Sequence, residues 1–595
     1  MKSILQKYLW GLFACVLLLT GCNFPTRANP PLASIAPDST AAPDSAATPT
    51  LTPSPIPPRT LSICMGGEPQ SLFIYADDSV AARSVRQAIY DGPFDISNYT
   101  AVPVILESIP SITNGGAAIQ AVSVNPGEAI IDSVGNPTTL TEGIVYRPAG
   151  CTQANCSVSY SGQEAVLMDQ LVVQFRLLPN LQWADGAPLT ADDSLFAYEI
   201  AQALFPRVRS ELLVQTASYQ AVDTQTVAWR GLPGGRLPSY ATNFFAPLPR
   251  HAWGSLQLET LFSSEEVNRR PLGWGPYVVD EWIAGDHITL SKNPAYFRAA
   301  EGLPAFDHLV FRFMPDGAEA LSALLAGECD YVDETAALET QREAVAQAAA
   351  GGSILMFEEI GTAWEQATIN LAPAPQIGAD GVEIAGRPAL LAARETRQAL
   401  LMCLDRSALL QELGLSSEQV AHTYVAPGHP LYNDQARTYA YDPQAAAGLL
   451  QAAGWVDGDG RPETPRVAQG AAGVPDGTPL SFSYYFSDEP EKQIIAQFLQ
   501  AAWSACGAQL NLQPLPWNQL MAPGPDGPVF GRQFDMAQFA WISGRQPPCD
   551  LYTTREIPGD YPQHPKGWGG ANAGAFQDSA FETACLQALN SLPDE

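Results

Sequence analysis

The chain has 595 residues, 46% of them hydrophobic, and 62 acidic against 31 basic side chains give a net charge of −31 at pH 7. That length exceeds one hydrophobic core, so two or three lobes are expected. The acidic balance argues against a nucleic-acid partner, since phosphate contacts need basic surface; it favours solubility and would attract a cationic solute.

In chain order, residues 1–21 read as an export signal. Lys2 and Lys7 give a positive start, and Trp10 to Leu19 is an apolar run. The run is shorter than the roughly 20 residues that span a bilayer, and small residues follow it. Leu19-Thr20-Gly21-Cys22 resembles the bacterial lipobox, which implies that Cys22 is acylated and begins the mature protein. The alternatives are an ordinary signal with a chance cysteine and an uncleaved anchor. Residues 22–60 read as a tether. Ten of residues 23–60 are proline, amid Ala, Thr, Ser and Asp. Such a segment buries too little apolar surface to fold, and proline keeps it extended. Setting residues 1–60 aside leaves 27 basic and 60 acidic side chains, a net of −33. No later stretch is apolar enough for a membrane span.

Leu61 to Cys64 reads as a short strand, and residues 79–90 as a helix with Val80, Val85 and Ile89 in phase. Gln170 to Leu177 alternates, with Leu171, Val173, Phe175 and Leu177 on one face. Thr190 caps a helix opened by Asp192 and Asp193, which favour its positive end. Strand 308–313, helix 317–326 and strand 329–332 form a unit that points to a parallel α/β sheet. Residues 366–371, 388–413, 443–453, 488–505 and 508–514 repeat such patterns. The fold class is therefore α/β in two parts. Ligands of such sheets sit beyond the strand ends, in the cleft between lobes.

The chain lacks the GxSxG, HExxH and GxxxxGK signatures, and no two of its six histidines stand four residues apart. Asp457-Gly458-Asp459-Gly460 reads as a tight turn rather than a calcium loop, which needs a later glutamate. No enzyme, metal or cofactor is implied. With Cys15 lost with the signal and Cys22 lipidated, eight cysteines remain: Cys64, Cys151, Cys156, Cys329, Cys403, Cys506, Cys549 and Cys585. An even number in an exported chain indicates disulfides, and eight cysteines allow 105 pairings.

Seven blocks, in order, resemble the extracytoplasmic solute-binding proteins of oligopeptide and dipeptide ABC transporters, family 5. Gly67-Glu68-Pro69-Gln70-Ser71-Leu72 resembles the opening EPxSLDP, with Phe73-Ile74 in place of Asp-Pro. Phe175-Arg176-Leu177 with Trp183 to Asp193 resembles FxLRxxxxWxDGxPxTAxD. Gly273 to Tyr277 is similar to GTGPY, Leu290 to Phe297 to LxxNPxYW, and Leu325 to Asp330 to LxxGExD. Arg397 to Arg406 is similar to RQALxxAIDR, and Phe534 to Trp541 to FDxxxxxW. The resemblance implies a two-lobed periplasmic-binding-protein-like fold of type II with an extra subdomain in the first lobe. The divisions implied are lobe I at 61–365, lobe II at 366–535 and a return to lobe I at 536–595. Relatives usually continue further, so the end at Glu595 is expected to be truncated or shortened.

It further implies capture of a small solute, most often a peptide, by a monomer that delivers it to permease subunits at the membrane. A sugar, an opine, a modified peptide or a sensing role are the alternatives. Glu68, Trp274, Trp517 and Trp541 are the implied ligand contacts. Peptide-binding relatives carry an Asp for the ligand's α-amino group where this chain has Gly544, and longer-peptide binders carry an Arg where it has Gln538. Arg545 and Asp550 stand nearby to compensate. The Asp residues of the DGxPxTAxD block read as architecture. For the cysteines, the family's neighbouring strands imply Cys64–Cys329; Cys151–Cys156 would close a small loop, and Cys403–Cys506 and Cys549–Cys585 are the remainder.

Overall fold

The structure, a computed structural model, describes residues 57–152, 156–205, 211–358, 361–374, 376–377, 383–384, 388–415, 420–461, 464–560 and 568–592. Cys22 and most of the expected tether lie outside them. Among the described residues no helix is long and apolar enough to cross a membrane.

The first lobe is built on a five-stranded sheet ordered Tyr277–Ile283, His287–Lys292, His308–Phe313, Thr60–Met65, Tyr331–Val332. Thr60–Met65 runs parallel to both neighbours, with Ile63 opposite Phe311 on one side and Tyr331 on the other. The strand starts at Thr60, which the sequence assigned to the tether, because that residue already pairs with His308. Helix Gly317–Leu325 links the two flanking strands, and the Asp316 carboxylate accepts from the Ala318 and Glu319 N–H groups at its start. Helix Val80–Ile89 is capped by Ser79 and buries Ala81, Val85 and Ile89 against Ile288, Leu290 and Phe311.

A four-stranded antiparallel sheet adjoins it, ordered Thr216–Ala221, Thr226–Gly231, Val166–Arg176, Ala117–Val124. The expected alternation is the inner face of the eleven-residue strand Val166–Arg176: Leu171, Val173 and Phe175 pack with Trp183, Trp229, Tyr240 and Phe244. Asp193 is buried beside this core. Its carboxylate accepts from the N–H groups of Thr190 at 2.8 Å and Arg250 at 3.1 Å, and from the Trp183 indole at 3.4 Å. Asp185 accepts from the Ala187 N–H and bonds His251 at 2.9 Å. Both carboxylates are therefore committed to turn and cap.

The second lobe carries a sheet ordered Ala363–Ile369, Met536–Ile542, Ser481–Ser487, Gln509–Leu515. Its core joins Phe482, Tyr484 and Phe486 with Trp455 and Trp503. Helices Arg394–Met402, Pro443–Ala452 and Pro490–Ser504 contribute to it. Paired strands lie at the boundaries expected at 365/366 and 535/536. Ala363–Ile369 is one strand, and Met536–Ile542 is its antiparallel neighbour over all seven residues. Met536, at the start of the expected return, is buried in the second core. The return ends in helix Ser579–Leu589, beyond which Leu592 enters the first lobe's core and the Asn590 carbonyl accepts from Arg236.

Among the described residues four disulfides are present: Cys64–Cys329, Cys151–Cys156, Cys403–Cys506 and Cys549–Cys585, with Cα separations of 5.9, 5.6, 6.3 and 5.7 Å. Asp457 and Asp459 form the expected turn: the Asp457 carboxylate accepts from the Gly460 N–H at 2.7 Å, and that of Asp459 from the Arg461 N–H at 3.0 Å.

Candidate functional site

Strand Met536–Ile542 reaches the border of the two lobes with half of one edge unpaired. The Ser543 N–H donates to the Thr362 carbonyl, and the Asn370 N–H to that of Asp535. In an antiparallel ladder these bonds come at alternate residues. Odd-numbered positions therefore bond Ala363–Ile369, and Ala540 and Ile542 turn their N–H and C=O groups to the other edge. There, Ser481–Ser487 pairs only with Met536 and Ala537. Ala540 and Ile542 are also exposed. The result is a short free strand edge.

The face beside this edge is aromatic. Trp541 stands opposite Trp364, and Phe539 opposite Gln366. A cavity of about 280 Å³ opens on that face, lined by Gln366, Thr368, Phe539, Trp541, Tyr552 and Asn572 among others. Its polar groups are held in place. The Tyr552 hydroxyl donates to Gln366 Oε1 at 2.9 Å, and Gln366 Nε2 donates to Thr368 Oγ1 at 2.9 Å. Burial pushes the Tyr552 hydroxyl up to about 12, so it stays a donor at neutral pH. Asn572 Nδ2 donates to the carbonyls of Thr553 and Phe576. Tyr424 packs tilted against Tyr552 at 5.4 Å and lies 6.2 Å from Trp364. Such walls offer contact area at little entropic cost.

The residues singled out from sequence are not all brought together. Trp541 lines the cavity, with its ring edge-on to Phe539 at 5.7 Å. Gly544 and Arg545 follow the free edge. Space around Gly544 is open: nothing would lie within 4 Å of an added Cβ. Arg545 Nε donates to the Tyr99 carbonyl at 3.0 Å. Trp517 is half exposed on the short helix Trp517–Leu520 and is not among the cavity's lining residues. Trp274 is a core residue, not a cleft wall: it is 2% exposed, donates to the Asp91 carbonyl at 2.8 Å and packs edge-on to Trp183 at 5.4 Å. Glu68 is exposed, but both its oxygens are taken, by the Trp282 indole at 2.7 Å and the Gly285 N–H at 2.9 Å. Gln538 points away from the cavity into the second lobe. There it donates to Glu365 and accepts from Tyr484, while Lys492 pairs with Glu365 at 2.9 Å.

Sequence reasoning missed Gln366, Tyr552 and Asn572, which lie on three separate segments that only the folded sheet assembles. It also missed the hairpin of Phe94–Ser97 and Thr100–Pro103. The tip residues Asn98 and Tyr99 both have positive φ, as a two-residue turn of this kind requires. The Tyr99 ring packs tilted, at 57°, against His429 at 4.3 Å, and His429 Nε2 lies 3.1 Å from the Arg545 carbonyl. The Leu431 N–H donates to His429 Nδ1, so the neutral ring carries its proton on Nε2 and donates to Arg545. This hairpin of the first lobe thus touches the second lobe just past the free edge.

The profile of bacterial extracellular solute-binding proteins, family 5 (middle), matches residues 163–560. A protein of Brucella ovis named for ABC-transporter peptide binding is 27% identical over 296 residues, which are 48% of this chain and 50% of that protein. The chain thus spans about half the length of these curated relatives. The oligopeptide-binding protein AppA of Bacillus subtilis is 23% identical over 423 residues, covering 66% of this chain and 70% of its own. Among solved structures, the oligopeptide-binding protein of Thermus thermophilus complexed with a pentapeptide superposes with a TM-score of 0.51 at 18% identity, covering 90% of this chain and 86% of its own. The likeness to that structure carries the two-lobed fold, and the profile, which spans most of the chain, carries the membership: this protein belongs to family 5 of the bacterial extracellular solute-binding proteins.

Proposed function

We propose that this protein captures an extended peptide between its two lobes and hands it to the permease of an ABC transporter, with no covalent chemistry of its own. The observation that carries the reading is the free edge of Met536–Ile542. Backbone N–H and C=O groups at Ala540 and Ile542 offer a sequence-independent ladder to an added strand. The cavity beside Trp541 and Phe539 takes a side chain of that strand. The relatives named for peptide binding support the same solute class. The ligand's α-amino group gains no carboxylate from Gly544, and Gln538 is bound within the second lobe, so recognition leans on backbone bonds and aromatic contact. Arg545 stands at the end of the edge, and Arg397 lines the cavity. Export and acylation at Cys22 would hold a monomer at the outer face of the membrane, where such a permease works. Calorimetry of the purified mature protein against a peptide library tests the reading, with native mass spectrometry to identify any co-purified solute. Saturable binding of peptides is expected; binding of sugars or opines with no peptide bound would overturn it.

A further inference from the structure

We infer that the hairpin Phe94–Ser97/Thr100–Pro103 is a length stop: its Tyr99 tip closes one end of the strand edge and restricts the solute to short peptides. The inference rests on the peptide reading above and adds the size class. The edge has two ends. At one, Ser481–Ser487 occupies the pairing positions of Met536 and Ala537. At the other, the Tyr99 carbonyl accepts from Arg545 Nε at 3.0 Å, and the Tyr99 ring lies on His429 at 4.3 Å. His429 is buried and in turn bonds the Arg545 carbonyl, so the stop rests on a fixed support. Residues 538–544 lie between the two ends. The strand part, 538–542, gives about 17 Å of edge at about 3.3 Å per residue, and Ser543 and Gly544 lead on from it, room for an extended peptide of about five to seven residues.

Chemistry and geometry agree on a stop rather than a passing contact. The tip reaches across the lobes with its backbone carbonyl bonded and its one large side chain packed against His429. The hairpin is held at its base by ladder pairs from Phe94 opposite Pro103 to Ser97 opposite Thr100. An eighth residue would have to displace Tyr99 from Arg545 and His429.

The test is a ladder of alanine–phenylalanine peptides of three to ten residues, titrated by calorimetry into the wild type and two variants. In the first variant Asn-Gly replaces Ser97 to Thr100, which withdraws the tip by one ladder pair. The second is Tyr99→Gly, which suits the turn and removes the ring. Circular dichroism checks that both fold. For the wild type, affinity is expected to fall at least tenfold between six and nine residues. The shortened hairpin is expected to recover most of that loss while changing the affinity for short peptides less than threefold; Tyr99→Gly moves the same way by a smaller factor. Equal affinity for six- and nine-residue peptides in the wild type would overturn the inference. So would an unchanged length limit in both variants. If no peptide of any length binds, the peptide reading itself fails, a distinct result.

Discussion

Trp274 and Trp541 are one residue type in two environments, and substituting each should separate fold from function. Trp274 is buried against Trp183 and Tyr90, so Trp274→Ala should cost about 3–5 kcal/mol of stability, read by urea unfolding. Trp541→Ala should leave stability closer to wild type and weaken peptide binding by about 2 kcal/mol or more, the scale of an anchor side chain. An unchanged affinity would remove Trp541 from the site. Gly544 supplies a gain-of-function counterpart. Its φ is ordinary and no atom blocks a side chain, so Gly544→Asp should be tolerated. In the wild type, N-acetylated peptides should bind no worse than free ones; in Gly544→Asp, calorimetry should show free amino termini preferred by about tenfold, the scale of one charge-assisted hydrogen bond. The sequence could locate these positions through the blocks that hold Trp274 and Trp541, but it could not tell a buried tryptophan from a lining one. That difference depends on what packs across from it, Trp183 in one case and an open cavity in the other.

Elements were more legible than sites, because periodicity and caps are local. The helix expected over 79–90 is Val80–Ile89, and the strand–helix–strand reading of 308–332 holds because each side chain's neighbours are set by its own strand. What stayed hidden is pairing between distant segments: Met536–Ile542 reads as the start of a return until Ala363–Ile369 is seen beside it. Two predictions belong here. Asp193→Ala should cost about 2–4 kcal/mol, since it removes a helix cap and strands the N–H groups of Thr190, Arg250 and Trp183. Burial raises the Asp193 pKa above its ordinary value despite those bonds. The folded state therefore binds this proton more readily than the unfolded state does. The resulting contribution is full below the unfolded value of about 4 and is lost as pH rises through the folded one. Asp193→Asn should lack that slope in urea unfolding compared at pH 4 and pH 7. The disulfides should also rank by the chain they enclose. In the chain-entropy relation, the Cys64–Cys329 separation of 265 residues gives about 5.6 kcal/mol, and the Cys151–Cys156 separation of 5 gives about 2. Paired Cys→Ser variants ranked in the opposite order would contradict this.

At the scale of the whole molecule, the two lobes touch through Tyr99 and His429, so a solute between them should act on both. A ligand bound only by the folded form adds about 2.7 kcal/mol at one hundred times its Kd, visible as a rise in melting temperature. The mature chain's net charge of −33 makes unaided adhesion to an anionic membrane surface unfavourable. The lipobox resemblance would put a covalent anchor at Cys22, followed in the sequence by a proline-rich stretch. A diacylated cysteine supplies two chains, and two are what stable anchoring takes. Cys22→Ala should therefore move the protein from the membrane fraction to the soluble one and abolish its labelling by radioactive fatty acid, while the purified protein keeps its peptide affinity. Label incorporated as strongly in the variant as in the wild type would place the lipid elsewhere. Retention in the membrane fraction without label would instead point to the uncleaved apolar run as the anchor.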